Sequence, residues 1–455
     1  MKREEEVGKP PAMALADRLA RALKQGAQAP GTVIASLAEL QARYRVGRPV
    51  LRQAVKILEE RGIAALRRGK GGGLVALGAN PDYPGRALSI LIEREITDFT
   101  DLAVLPRAMD YYVYVFEAPY LGWDACRQLR EMVEDFDRLP DEEFLRCRAH
   151  HQVAQAIRLL TRDPVLELME KASYECAVDL IPYGVSVRND SKESIAWQIT
   201  RETVDALIAG DVAWLMSCMD RMMAVLLESW QSGEPSAKSG FSALTFQSAR
   251  NQTDRVTREI LREVRALEWQ AGQRIATGAD LARRFQTTPD IVRQAIVVLQ
   301  QYGVIEVEKG RSGGLFVAEL NRPLLLESAR GYLREQCFEP RILKEILLQL
   351  TLGIVVDLGG RSPERLRHNA ATAQLQGRRL PALMNEICNH PVLSVLTELA
   401  SPLLEDMGEG SHGREIADAI ARSDLVKASR LLIETYRSWQ GAGGSRTTKK
   451  GADNL

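Results

Sequence analysis

The sequence of 455 residues has no apolar run long enough to cross a membrane, and its charged N-terminus lacks a signal-peptide core. Its six cysteines lie far apart, with no Cys-x-x-Cys pair, which argues against a zinc site or a disulfide framework. Only 6% of the residues are aromatic, and 60 basic residues balance 60 acidic residues. We therefore expect a cytoplasmic protein, and its length predicts several domains.

Motifs of catalysis are also missing from the sequence. It has no glycine-rich phosphate loop, no Ser-His-Asp set and no pair of carboxylates at catalytic spacing. We therefore predict that the protein is not an enzyme and holds no cofactor.

The basic residues are concentrated in the window from Arg43 to Lys70, where nine basic residues stand against two acidic ones, a net charge of +7. Helical spacing places Arg48, Arg52 and Lys56 on one face of a helix. Another face of that helix carries the apolar residues Leu51, Val55 and Leu58. The pattern predicts an amphipathic helix whose basic side points to solvent or to a polyanion.

The flanking segments decide between a solvated basic helix and a larger motif. Upstream, the sequence predicts helices at 14–25 and 37–44, joined by the turn Pro30-Gly31. Downstream, strands at 63–66 and 74–77 flank a basic glycine turn at 67–73. This order is typical of a winged helix-turn-helix, in which the helix enters the major groove of DNA and the wing reaches phosphate or the minor groove.

The same residues resemble GntR-type bacterial regulators, whose pattern contains a Val-Ser-Arg corner and a recognition helix with Arg-Glu-Ala. Here the corner reads Val46-Gly47-Arg48, and Arg52-Gln53-Ala54 stands for Arg-Glu-Ala. The resemblance covers about residues 14–77. Gly47 replaces the usual Ser, which removes a helix-capping hydroxyl at a cost of only a few tenths of a kcal/mol. The resemblance implies sequence-specific binding of double-stranded DNA.

The motif occurs twice in the chain. Residues 257–317 repeat the first motif at a constant offset of 241 residues, so that Gly31, Leu40 and Arg52 correspond to Gly272, Leu281 and Arg293. This agreement over sixty positions predicts an internal tandem duplication with a second winged helix-turn-helix.

The two copies differ in charge. The window 282–311 carries a net charge of only +2, and Pro289 and Val297 occupy the positions of Arg48 and Lys56. Because phosphate contacts provide much of the affinity for DNA, we expect the second module to bind DNA weakly, or to serve in dimerisation or packing. The residues predicted to contact DNA in the two modules are Arg43, Arg45, Arg48, Arg52, Gln53, Lys56, Arg67, Arg68, Lys70, Gly71, Arg284, Arg293, Lys309 and Arg311.

Each module is followed by helical patterns without a convincing strand. We predict helices at 88–95, 106–116, 124–136, 141–160, 164–180, 194–209 and 211–230, with linkers at 78–85 and 232–240. These bundles resemble the all-helical FCD effector domain of one GntR branch, and the second is shortened by about 28 residues. The predicted domains are residues 10–78 and 250–319 as winged helices, 86–231 and 321–440 as bundles, and 441–455 as a polar tail.

The FCD resemblance implies a metal held in many relatives by three histidines and an aspartate. The histidine slots fall on Ala154, Thr200 and Met222 in the first bundle, the aspartate slot falls on His150, and the second-bundle slots fall on Pro381, Gly413 and Thr435. None of the six histidine slots supplies an imidazole nitrogen, so we predict that no metal is bound.

A pocket without metal still suits a small organic acid, bound by polar groups among apolar walls. Our candidate ligand residues are Arg107, His150, His151 and Thr200. The alternative is that Arg107 is a surface residue at a helix start and that the histidines are hydrogen-bonded core or surface residues.

The sequence thus favours a mainly α fold and a transcriptional regulator switched by a ligand, acting as a homodimer or as an intramolecular pseudo-dimer. A ligand-independent architectural or interaction protein, with a degenerate second module, is the alternative. A pyridoxal-dependent enzyme of the kind found among GntR relatives is disfavoured, because the regions after the wings are helical and too short for that domain.

Overall fold

The chain folds mainly into α-helices with two small three-stranded sheets, which confirms the predicted fold class. The structure is a computed structural model, and it describes residues 11–25, 29–67, 69, 71–96, 99–138, 143–180, 195–231, 252–308, 310, 313–374, 379–404 and 412–438. The predicted linker at 232–240 and the polar tail at 441–455 lie outside the described residues. Within the described part of the chain, every helix is too short or too polar to span a membrane.

The first module has the predicted helices and wing strands, together with a short strand between the first two helices that was not predicted. It consists of α1 (Pro11–Gln25), β1 (Val33–Ala35), α2 (Leu37–Tyr44), α3 (Arg48–Glu60), β2 (Ala64–Arg67) and β3 (Gly73–Ala76). The strands form an antiparallel sheet in the order β1-β3-β2, with Ala65 opposite Val75. Helix α3 ends at Glu60, and Gly62 soon after it has a φ of 64°, a left-handed conformation that glycine adopts without strain.

The second module repeats this layout. It consists of α11 (Gln252–Ala266), β4 (Arg274–Ala276), α12 (Gly278–Arg284), α13 (Pro289–Gln301), β5 (Ile305–Glu308) and β6 (Gly314–Val317). Its sheet has the order β4-β6-β5, with Glu306 opposite Phe316. This register equals that of Ala65 and Val75 after the offset of 241 residues. The tandem duplication stays a prediction, and the equal register agrees with it.

The first bundle follows the first wing directly. Its helices are α4 (Asp82–Glu95), α5 (Phe99–Tyr112), α6 (Trp123–Asp137), α7 (Glu143–Arg158), α8 (Pro164–Leu180), α9 (Ile195–Ala209) and α10 (Val212–Gln231). A π-helical turn, Val113–Glu117, and a 3₁₀ turn, Ala118–Tyr120, lie between α5 and α6.

Two of the predicted boundaries in this bundle are wrong. The segment 78–85 is not a linker throughout, because α4 already begins at Asp82, whose backbone N–H donates to the side chain of Asn80. Helix α5 begins at Phe99 instead of Pro106, which lies inside it. The buried residues Leu102, Leu105 and Met109 continue one face across this proline, and their packing outweighs its cost.

The second bundle also has seven helices among the described residues, and all but one of them have 14 residues or fewer. They are α14 (Arg322–Glu335), α15 (Pro340–Arg361), α16 (Pro363–Thr372), α17 (Leu380–Cys388), α18 (Pro391–Ala400), α19 (Gly413–Ala421) and α20 (Leu425–Ser438). Helix α14 packs against α4, and α15 packs against α5, so the first two helices of one bundle meet their counterparts in the other.

The described apolar core is divided unequally. One core runs through the first bundle, the second module and the second bundle. The first module has a core of its own, built on residues of α1, α2, α3 and the sheet. The second module is therefore part of the main body of the protein, whereas the first module is a separate unit that docks on it.

A buried ion cluster joins the second module to the first bundle. The carboxylate of Glu175 on α8 pairs with Arg86 on α4, with Lys171 and with Arg258 on α11, each at 2.7 Å. Burial by itself raises the pKa of Glu175, but the charges of Arg258, Arg86 and Lys171 outweigh it and hold the pKa well below its usual range. Because a buried charge without partners is costly, this cluster fixes α11 on the bundle.

Candidate nucleic-acid interface

The turn between α2 and α3 is set by short local interactions. Ser36 caps α2 by accepting from the N–H of Glu39 at 3.2 Å, and the Glu39 carboxylate accepts from the N–H of Ser36 at 2.8 Å. After Tyr44, Arg45 takes a left-handed conformation, and Gly47 becomes the N-cap of α3 without a side-chain hydrogen bond. This turn presents the N-terminal end of α3 to solvent.

The two faces of α3 separate as its sequence predicts. Leu51, Ala54 and Leu58 are buried in the core of the first module. Arg48 and Arg52 are exposed on the opposite face. The structure therefore presents two guanidinium groups, one helical turn apart, on a helix whose other side is fixed by packing.

The remaining predicted residues of the first module surround this face. Lys56 is half-buried, with its Nζ 4.0 Å from the carboxylate of Glu59, and Arg43 and Arg45 are exposed. Gln53 is exposed too, but it lines a cleft against the second module, a position that its sequence did not reveal.

The wing is a tight glycine turn on the same sheet. Arg67 and Gly71 are exposed, and the N–H of Gly72 donates to the carbonyl of Gly69 at 2.9 Å. A Cβ at Gly72 would lie 2.2 Å from the carbonyl oxygen of Arg67, so only glycine fits there. Arg68 and Lys70 lie outside the described residues.

In the second module, the arginines that correspond to Arg43 and Arg52 are paired with carboxylates. Arg284 pairs with Glu263 at 2.6 Å, and Arg293 pairs with Asp290 on its own helix. Thr288 caps α13 by accepting from the N–H of Ile291. Lys309 and Arg311 lie outside the described residues.

The first bundle brings two of the predicted ligand residues together. Nδ1 of His150 lies 2.7 Å from Oγ1 of Thr200, whose own proton is donated to the carbonyl of Ala196. Nδ1 of His150 therefore carries the proton that Thr200 accepts. Burial, together with the nearby charges of His151 and Arg158, lowers the pKa of His150 to about 4.

The other two predicted ligand residues lie in different settings. The ring of His151 stacks on Tyr174 with centroids 4.8 Å apart, and burial lowers its pKa to about 4. Arg107 has 45% of its side chain exposed and pairs with the exposed Asp220 at 3.2 Å. The structure thus places Arg107 on the surface, as in the alternative interpretation, but inside α5 and not at a helix start.

Sequence reasoning missed a buried ion pair close to these histidines. Arg158 binds Asp110 with two hydrogen bonds of 2.6 and 3.0 Å, and it binds Glu170 at 3.0 Å. The only sequence signal was three charged residues within apolar helical patterns. Within the described residues, no cluster of three side chains is arranged to hold a metal ion.

Comparison with known proteins identifies the first module. Residues 11–73 match the family of bacterial regulatory proteins called the gntR family. These residues form a GntR-type helix-turn-helix domain, which contains α1, β1, α2, α3 and β2.

Solved structures and curated proteins add little to this match. A GntR protein of Streptococcus agalactiae aligns with 20% identity over 48% of this chain and 99% of its own, with a TM-score of 0.28. Lar of Listeria monocytogenes, reported to control expression of the agr system, aligns with 13% identity over 50% of this chain and 99% of its own, with a TM-score of 0.23. No curated protein matches the sequence.

Proposed function

We propose that the chain is a transcriptional regulator that binds a specific sequence of double-stranded DNA through its first module. One observation carries the proposal: a GntR-type recognition helix presents exposed Arg48 and Arg52 opposite a buried apolar face. An arginine on a major-groove helix binds the O6 and N7 atoms of guanine with two hydrogen bonds. Selection of bound fragments from random duplex DNA tests the proposal, and the absence of any enriched sequence would contradict it.

We further propose that the first bundle holds a small organic acid that switches DNA binding. Two buried polar atoms, Nε2 of His151 and Oε1 of Glu170, have no hydrogen-bond partner among the described residues. Beside them lie the His150–Thr200 pair and the Arg158 guanidinium, a set of groups suited to a polar ligand. A panel of organic acids that raises the melting temperature of the wild type, but not of Thr200→Val, would support this site.

We also propose that one chain takes the place of a dimer. The packing of α4 on α14 and of α5 on α15 supports this, because counterparts that meet across an interface are typical of twofold assemblies. Light scattering is expected to give the monomer mass of 50.6 kDa. A mass of twice that value at micromolar concentration would contradict the proposal.

The alternative is a DNA-binding protein without a ligand switch. It is favoured by the Arg158 cluster, in which Asp110 and Glu170 already neutralise the buried cation. In that case no organic acid shifts the melting temperature, and DNA affinity stays constant across the panel. The melting-temperature panel therefore distinguishes a ligand-switched regulator from a DNA-binding protein without a switch.

A further inference from the structure

The recognition helices of the two modules pack against each other. Val297 of α13 packs on the core of the first module, although it belongs to the second. A cleft between the modules has a volume of about 90 Å³. It is lined by Pro11, Ala12, Met13, Val50, Gln53, Ile57, Val297 and Gln300.

The contact uses the reading face of α13. Val297 lies four residues after Arg293, so both side chains point from the same side of that helix. Their counterparts in the first module are Lys56 and Arg52, which belong to its basic face. The side of α13 that corresponds to the DNA-reading side of α3 is therefore docked on protein at Val297.

The contact is not reciprocal between the two helices. On α3 the cleft is lined by Val50, Gln53 and Ile57, and none of these positions corresponds to Val297. A twofold contact would use the same positions on both helices. Because it does not, the exposed face with Arg48 and Arg52 stays open on α3 while the equivalent face is partly covered on α13.

The residue type at 297 suits this role. Val297 is half-buried, and an ionised lysine there, as in the first module, would lose part of its hydration. Arg293 on the same face is paired with Asp290 on its own helix. Valine in place of lysine at this position therefore has two effects. It removes a possible phosphate contact from the second module, and it creates an apolar contact with the first module.

The second module is a firm base for this docking. Arg258 pairs with the buried Glu175 at 2.7 Å, and Arg265 pairs with Glu93 at 2.6 Å, so α11 is held on α8 and α4 of the first bundle. The core of the second module is also continuous with both bundles. A contact with α13 therefore orients the first module relative to the whole body.

We propose that α13 is an internal docking element whose Val297 face holds the first recognition helix in its reading orientation, so that only the first module reads DNA. This inference rests on the proposed function for its DNA measurements, and its structural part stands without them. On this basis Arg293 makes no base contact.

The test is the substitution Val297→Lys, with Val307→Lys as its matched control. Val307 lies on β5 of the same module and is 42% exposed, so the control adds the same charge away from the docking contact. Without DNA, amide hydrogen exchange over residues 48–58 is expected to accelerate in Val297→Lys and to match the wild type in Val307→Lys. Val297→Ala, which adds no charge, is expected to show a smaller acceleration.

DNA binding by Val297→Lys is expected to change in opposite directions under two hypotheses, in which the second module either docks the first module or contacts DNA itself. Loss of docking is expected to weaken specific binding by Val297→Lys about fivefold or more, despite the added positive charge. A second module that reads DNA would instead gain a phosphate contact, with tighter binding and a salt slope steeper by about 0.9. That gain, or unchanged exchange at 48–58 in both Val297 variants, would overturn the inference.

Failure of the proposed function would look different. A wild-type protein that binds no DNA, with exchange at 48–58 that still accelerates in Val297→Lys, would refute the regulator function and leave the docking contact supported.

Discussion

The ring of Tyr83 stacks on the ring of Tyr302, with centroids 4.8 Å apart and planes inclined by 18°. Tyr83 lies in the first turn of α4, and Tyr302 directly follows α13. The Tyr83 hydroxyl donates to the carbonyl of Gln301 at 3.4 Å, and the guanidinium of Arg61, which follows α3, lies 5.9 Å from the Tyr83 ring. The first bundle thus contacts the C-terminal ends of both α3 and α13 through one side chain.

We predict that Tyr83→Ala lowers the free energy of unfolding by about 2 kcal/mol, because the stacked ring and its packing are lost together. Urea unfolding followed by circular dichroism measures the change. The control is Tyr120→Ala, since the Tyr120 side chain is 84% exposed and its removal is expected to change stability by less than about 0.5 kcal/mol. Equal effects of the two variants would contradict the role given to Tyr83.

The reading helix and the wing could be predicted from the sequence because their signals are local. The apolar spacing of Leu51, Val55 and Leu58 and the glycines at 69 and 71 to 73 lie within a few turns of chain. Tyr83 and Tyr302 are 219 residues apart, and no periodicity links them. Val297 was recognised as the counterpart of Lys56, but the sequence did not reveal its contact with α3.

The candidate ligand site was predictable only in part. Two slots of the FCD metal set fall on His150 and Thr200, and the structure places Nδ1 of His150 2.7 Å from Oγ1 of Thr200. Arg158 was not recognised, because its partners Asp110 and Glu170 lie on two other helices. A charged residue within an apolar helical pattern is either exposed to solvent or buried with an oppositely charged partner. A single sequence does not distinguish these two cases.

A second prediction concerns matched arginines on the two recognition helices. Arg52→Ala is expected to weaken specific DNA binding by about 1–3 kcal/mol, through loss of a guanine contact. Arg293→Ala, its counterpart in the second module, is expected to change binding much less, because its guanidinium is already paired with Asp290 on the same helix. Gel-shift titrations on one selected operator measure both. If Arg293→Ala weakened binding more than Arg52→Ala, the base contact would belong to the second module, and our assignment would be wrong.

A third prediction follows from His150 and His151, two of the three described histidines whose pKa burial lowers to about 4, the third being His390. Burial lowers the pKa of His150 and of His151 to about 4, so between about pH 6.5 and pH 4 the unfolded chain binds more protons than the folded chain. Stability is therefore expected to fall as pH drops through this range, by up to about 1.4 kcal/mol per pH unit for each histidine. Urea unfolding at several pH values measures this slope.

The control for the pH dependence uses an exposed histidine. His150→Asn removes one of the buried groups, so its stability is expected to depend less on pH than that of the wild type. His368→Asn changes an exposed residue of α16 and is expected to leave the slope as it is. If the slopes of both variants equalled that of the wild type, the acid sensitivity would have to come from groups outside this site.

The last prediction compares the two wings through the salt dependence of DNA binding. Each phosphate neutralised adds about 0.9 to the slope of log affinity against log salt concentration. Replacing Arg67, Arg68 and Lys70 with Ala is therefore expected to flatten that slope by roughly 2 to 3 units. Replacing Lys309 and Arg311 with Ala is expected to change it by less than about 1 unit, because the second window carries a net charge of +2 against +7 in the first. Fluorescence anisotropy on one operator duplex from 50 to about 300 mM salt gives both slopes. If the two variants flattened the slope equally for each charge removed, both wings would contact DNA phosphates. The chain would then bind two half-sites, which contradicts the prediction.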